Sequence, residues 1–227
     1  MMFPQIFISP KNNNKKRQCF LLFSIILLSF IIALNIYATI AHSHKKAQAI
    51  NTDKARAEKM LAIQKAAKGF FTHMRFADTL LDMKELSFKD IQGKDYKLSD
   101  FTGKPMLINL WAIWCAPCRT EMPELAQLKR ELGGENFDVI AINIDKTASP
   151  EKIQKFLQDV HANNLLYYRD ETMDIFNNVR KQGLALGLPI TFLIDKNGHL
   201  IASFNGAAPW ANDDAKALIR AVIKEAL

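Results

Sequence analysis

The chain has 227 residues, 49% of them hydrophobic, and a net charge of +7. That length holds one ordinary domain with extensions, and the apolar content builds a core without a disulfide framework, for which three cysteines are too few. Residues 1–75 carry 12 Lys/Arg against 2 Asp/Glu, a balance of +10, so the remaining 152 residues stand at −3 and a nucleic-acid-binding domain is excluded.

Lys11, Lys15, Lys16 and Arg17 precede an uncharged, almost wholly apolar run, Phe20 to Ile40. As a helix, 21 residues at about 1.5 Å each span roughly the 30 Å of a bilayer core. The expected order is a short basic cytoplasmic segment at 1–19 and a transmembrane anchor at 20–40, with the C-terminal part outside. Lys45, Lys46, Lys54, Arg56 and Lys59 follow the run and weaken that orientation. A cleaved signal peptide is the alternative, although its apolar core is usually about 7–15 residues. Cys19 follows Lys16-Arg17-Gln18, which argues against a lipoprotein and leaves it idle or palmitoylated at the headgroup level. Residues 41–75, rich in Ala, Lys and Gln, read as a linker or stalk, in which His42 and His44 have no further metal ligands nearby.

From residue 76 the pattern alternates. Leu86–Asp90 and Tyr96–Leu98 flank Gln92-Gly93-Lys94 as an entry hairpin, and Met106–Trp111 is a short buried strand. Apolar Met122, Leu125, Leu128 and Leu132 mark a helix over 117–132. A second strand is expected at Phe137–Ile144, a helix opening at Ser149-Pro150, a third strand at Leu165–Tyr168 and a short helix capped by Thr172. Pro189–Asp195 and His199–Phe204 form a hairpin through Lys196-Asn197-Gly198, which leaves His199 exposed, and Asn212-Asp213-Asp214 starts a final helix. These elements make an α/β layer with a mixed central sheet.

Between the first of those strands and its helix lies Cys115-Ala116-Pro117-Cys118. In the first turn of a helix the leading sulfur meets unpaired backbone N–H groups, which with the helix dipole favour a thiolate, the species that attacks disulfides. The two cysteines are therefore a redox pair, and no metal or other cofactor is expected.

The stretches Leu98–Lys104, Ile108–Pro123 (INLWAIWCAPCRTEMP), Gly187–Asp195 (GLPITFLID) and Gly206–Ala215 together resemble the thioredoxin superfamily. More narrowly the chain is similar to the membrane-anchored TlpA/ResA/CcmG-type thiol–disulfide oxidoreductases, the last stretch especially to TlpA. The resemblance implies a thioredoxin-like fold at 76–227, with Cys115 as nucleophile, Cys118 as resolving thiol and Pro189 as a cis-proline facing them. It makes Pro123 the kink proline of the active-site helix, and sets Trp114, Ala116, Pro117, Leu188 and Ile190 against the substrate. Trp114 is expected to cover the disulfide and Trp111 to pack in the core; Arg119 either lowers the thiol pKa or is a solvated helix residue. Thioredoxins carry a buried Asp where this chain has Asn109, which takes no proton; Glu121, one turn past Cys118, is the implied acceptor, the alternative being a solvated surface glutamate.

Ala116-Pro117 places no cation between the cysteines. The potential is expected towards the thioredoxin end, about −270 mV, rather than the DsbA end, about −120 mV. By resemblance the chain is a monomeric, single-pass reductant at a bacterial inner membrane, with its domain in the periplasm and a DsbD-type membrane electron donor. Its clients would carry cysteine pairs in cytochrome c or oxidase copper-centre assembly. A thiol peroxidase of the P-x-x-x-T-x-x-C kind would need Pro at 108 and Thr at 112, where Ile108 and Ala112 stand. A copper-delivery module would use C-x-x-x-C, and a binding-only scaffold would tolerate loss of either cysteine.

Overall fold

The computed structural model describes residues 13–225, with the side chains of 13–22, 24–27 and 29–33 outside the described set. The chain divides into two compact units between Ala55 and Arg56. The first is the greater part of helix α1 (Asn13–Ala66). Among the described residues no helix is long and apolar enough to cross a membrane. The anticipated anchor at 20–40, and the basic segment with Cys19, fall mainly on residues whose side chains are not described.

The second unit begins twenty residues before the boundary read from the sequence. Met60, Ile63 and Ala67 at helical spacing, then Phe71 in the 3-10 turn Gly69–His73 and Met74, are all buried in its core. Residues 56–75 are thus domain rather than stalk. Their apolar stripe is short and interrupted by lysines, so composition hides it. Arg56 adds an ion pair, 3.0 Å, to the fully buried Asp195.

Eight strands form one sheet: β1 (Arg75–Phe76), β2 (Ser87–Asp90), β3 (Asp95–Lys97), β4 (Met106–Trp111), β5 (Asp138–Asn143), β6 (Tyr168–Arg169), β7 (Ile190–Ile194) and β8 (Leu200–Asn205). Their order is β1-β8-β7-β4-β5-β6-β2-β3, with β4–β5 and β5–β6 parallel and the other pairings antiparallel. β4 is buried along its whole length, as expected of a central strand covered on both faces by helices. The helices that follow in the chain are α2 (Ala116–Leu132), α3 (Pro150–Asp159), α4 (Asp174–Lys181) and α5 (Asp213–Glu225). Ser149 caps α3 by accepting the Lys152 N–H at 3.3 Å, and Asn212 accepts the Ala215 N–H at 2.8 Å at the start of α5.

Three local expectations change: α4 is N-capped by Met173 rather than by Thr172, which stands one residue outside the helix and accepts the Asp174 N–H at 3.2 Å. The third strand shrinks to Tyr168–Arg169, because Leu165 donates its N–H to the Ala162 carbonyl in a turn instead of joining the ladder. His199 is largely buried, its Nδ1 3.3 Å from Asp195 Oδ2, because the Asp195 side chain folds back over the Asn197-Gly198 turn and accepts the N–H groups of Asn197 and His199.

Candidate active site

β4 ends at Trp111, whose indole is buried and lies 5.6 Å from the Phe156 ring. The chain then turns so that Cys115 becomes the N-cap of α2. Its Sγ accepts the Cys118 N–H at 3.3 Å, and Pro117 sits in the first turn, where a missing N–H costs nothing. The two sulfurs are bonded, 1.98 Å apart, so this is the oxidised form. Cys115 keeps 5% of its surface accessible and Cys118 none. This asymmetry is what a nucleophile and a resolving partner need: one sulfur open to attack, the other reachable only from within.

The site faces the loop before β7. The Leu188–Pro189 peptide bond is cis. Because Ile190 pairs with Leu110 near the end of β4, the register carries Pro189 to the same edge as the cysteines. Asn205 braces the approach, accepting the Leu186 N–H at 2.7 Å and donating to the Leu184 carbonyl at 3.0 Å. Beside the cysteines Trp114 is 65% exposed and Ala116 and Pro117 are exposed; in the loop before β7 Leu186 is 83% exposed and Leu188 half-buried. Ile190 does not belong with them. Its side chain is fully buried, and its backbone lies in register between Leu110 and Asn205, so it offers a client nothing. Arg119 is exposed, as is Pro123, which α2 accommodates without ending.

Glu121 is not a solvated surface residue. It is buried beneath the disulfide's helix turn, with Oε1 accepting from Asn109 Nδ2 at 2.8 Å. Its Oε2 accepts from the Ala208 N–H at 3.2 Å and the Trp210 Nε1–H at 3.1 Å. Burial, opposed by these three donors, raises its pKa from 4.5 to about 7. The carboxyl is thereby held well above its ordinary range, one helical turn past Cys118. Residues at this spacing stand about 5–6 Å apart at Cβ.

Sequence reasoning passed over Trp210, Ala208 and Thr191, whose part in this cage depends on strands and loops remote in the chain. It also missed Asp145, a buried carboxylate that accepts the Ile113 N–H at 2.7 Å and the Asn143 Nδ2–H at 3.0 Å, and so holds the loop entering the cysteine motif. Asn143-Ile144-Asp145 at the end of a buried strand was the available signal. Among the described residues no cluster of three or more His, Cys, Asp or Glu is placed to hold a metal.

A model of the Redoxin family matches residues 77–219, more than half of the chain. The thiol-disulfide oxidoreductase ResA of Bacillus thuringiensis subsp. konkukian is 28% identical over 143 residues, which cover 61% of this chain and 76% of that protein. The thioredoxin-like protein YneN of Bacillus subtilis is 30% identical over 119 residues, covering 50% of this chain and 64% of YneN. Among solved structures, a putative thiol:disulfide interchange protein DsbE from Chlorobium tepidum superposes with a TM-score of 0.54 at 29% identity, over 64% of this chain and 98% of that one. With the bonded cysteine pair at the head of α2, these matches establish that the chain belongs to the Redoxin family and is a ResA- and CcmG-like thiol–disulfide oxidoreductase of the thioredoxin superfamily.

Proposed function

We propose that this oxidoreductase works as a membrane-anchored reductant of client disulfides outside the cytoplasm, with Glu121 as the proton acceptor of its resolving thiol. The buried Glu121 one turn past Cys118, in the place of a surface carboxylate, is the observation that carries the reading. In the reduced chain the Cys115 thiolate attacks a client disulfide, forming a mixed disulfide and releasing one client thiolate. Glu121 takes the proton of Cys118; the new thiolate attacks the Cys115 sulfur, the second client sulfur leaves, and the Cys115–Cys118 disulfide closes. The client gains two electrons and the chain loses two.

The uncharged Ala116-Pro117 pair supports the reducing direction, since no side-chain cation between the cysteines stabilises the reduced thiolate. Such a cycle needs re-reduction, for which a DsbD-type membrane donor suits a domain tethered by residues 20–40 in a periplasm. Clients with cysteine pairs in cytochrome c or copper-centre assembly suit the resemblance to ResA and TlpA. Trp114, Ala116, Pro117 and Leu188 supply the apolar rim for such a client, and Pro189 borders it.

Replacing Cys118 by Ser in the full chain tests the chemistry, because the Cys115 mixed disulfide then has no resolving thiol. Thiol-reversible adducts with client proteins are expected, identifiable by mass spectrometry. Capture that persists without Cys115, or no capture at all, overturns the reading; a reduction potential above that of the glutathione couple reverses its direction.

A further inference from the structure

Asn109 lies in β4, fully buried, and both hydrogens of its side-chain amide are used: Nδ2 donates to Glu121 Oε1 at 2.8 Å and to Thr191 Oγ1 at 2.9 Å. Its carbonyl Oδ1, equally buried, has no hydrogen-bond partner among the described residues. Buried amide oxygens are rarely left so. This arrangement suits an ionised Glu121 and fails for a protonated one. Oε2 already faces two donors without lone pairs, the Ala208 N–H and the Trp210 indole N–H, so an added proton settles on Oε1. There it would point at the Asn109 –NH2, donor against donor.

We propose that Asn109 is a two-orientation positioning residue for Glu121: its amide turns through half a rotation as Glu121 changes protonation state, presenting –NH2 to the carboxylate and Oδ1 to the carboxylic acid. Thr191 permits both orientations, because its hydroxyl accepts from the –NH2 in one and donates to Oδ1 in the other. In the turned orientation the –NH2 takes the place of Oδ1, where no described residue accepts from it, so the bonds that Oδ1 receives from the acid and from Thr191 must offset two unpaired N–H groups. Among the described residues no other charged side chain hydrogen-bonds to Asn109 or Glu121. β4 brings Asn109, β7 brings Thr191, and the segment before α5 brings Ala208 and Trp210; on α2 itself Cys118 is the titratable neighbour, and Glu124 is engaged by the Ala211 N–H at 3.0 Å. An aspartate at 109 could not alternate in this way, since its ionised form only accepts. Asn109 is thus matched to a proton held on Glu121.

The inference rests on the proton-acceptor reading of Glu121, and the test separates the two. The full chain in a detergent micelle, held oxidised so that neither thiol titrates, is labelled with 15N-Asn and 13C-Glu and followed by NMR from about pH 5 to 9. The Asn109 –NH2 signals should shift with the same midpoint as the Glu121 carboxyl carbon. The cross-relaxation from –NH2 to the Thr191 methyl should be strong at high pH and lost at low pH. Glu121→Gln, whose –NH2 mimics the acid's donor, should hold the low-pH pattern throughout. An Asn109 amide that stays put while Glu121 titrates, or a Glu121→Gln chain that shows the high-pH pattern, overturns the proposal.

Asn109→Leu supplies a second readout. Losing a donor that serves only the carboxylate raises the Glu121 midpoint by about one to two pH units. Losing a group that serves both forms should move it by less than about half a unit, and a rise of one unit or more overturns the proposal. If Glu121→Gln leaves mixed-disulfide resolution unimpaired, the proton-acceptor role fails even where the amide rotates.

Discussion

Trp210→Phe isolates one hydrogen bond of the Glu121 cage. The indole N–H lies 3.1 Å from Oε2, while the ring packs 5.1 Å from Phe71 and 6.1 Å from Phe204. Phenylalanine keeps an aromatic ring there and deletes the donor. A hydrogen bond to a charged acceptor contributes about 1.5–3 kcal/mol. Oε2 retains the Ala208 N–H, so the lower end applies, and about 1.4 kcal/mol corresponds to one pH unit. The Glu121 midpoint should therefore rise from about 7 to roughly 8. At pH 7 the ionised fraction falls from about a half to about a tenth, so resolution of the Cys115 mixed disulfide slows about fivefold and recovers fully by about pH 9. Stopped-flow resolution of a mixed disulfide formed on the reduced full chain, recorded across that pH range, gives the profile. A rate lowered equally at every pH would mean that Trp210 only supports the packing, and an unshifted midpoint would refute the cage as the source of the proton affinity.

Two further outcomes follow from the same geometry. The folded-state pKa of Glu121 lies above its ordinary 4.5, so the folded chain keeps a proton that the unfolded chain has released; that contribution to stability is complete below pH 4.5 and lost as pH rises through about 7. Between pH 4.5 and 8, Glu121→Gln should gain about 3 kcal/mol relative to the parent in urea unfolding of the oxidised form, and parallel pH curves would contradict the buried carboxyl. Phe71→Ala removes a fully buried ring that packs on Phe204 and Trp210, and should cost about 3–5 kcal/mol; an unchanged urea midpoint would return residues 56–75 to the role of a stalk.

Sequence alone was enough for most of what is local. The apolar run of β4, the helical spacing of Met122, Leu125 and Leu128, the Ser149-Pro150 start of α3 and the Asn197-Gly198 turn each act through neighbours a few residues away, and the observed elements follow them closely. The cysteine motif belongs to the same class, because an N-cap and its first turn are one short segment. Resemblance added the cis-proline, which nothing in the residues around Leu188-Pro189 demands. Tertiary structure alone decided the environment of Glu121. Residue 121 meets Asn109, Ala208 and Trp210 only because β4 lies beneath α2 and the segment after β8 folds over it, and desolvation depends on how many atoms surround a group rather than on which residues adjoin it in the chain. The same holds for Ile190, whose neighbours in sequence suggest a contact surface while strands on both sides bury it, and for residues 56–75, whose few apolar side chains become core only when the sheet is there to receive them.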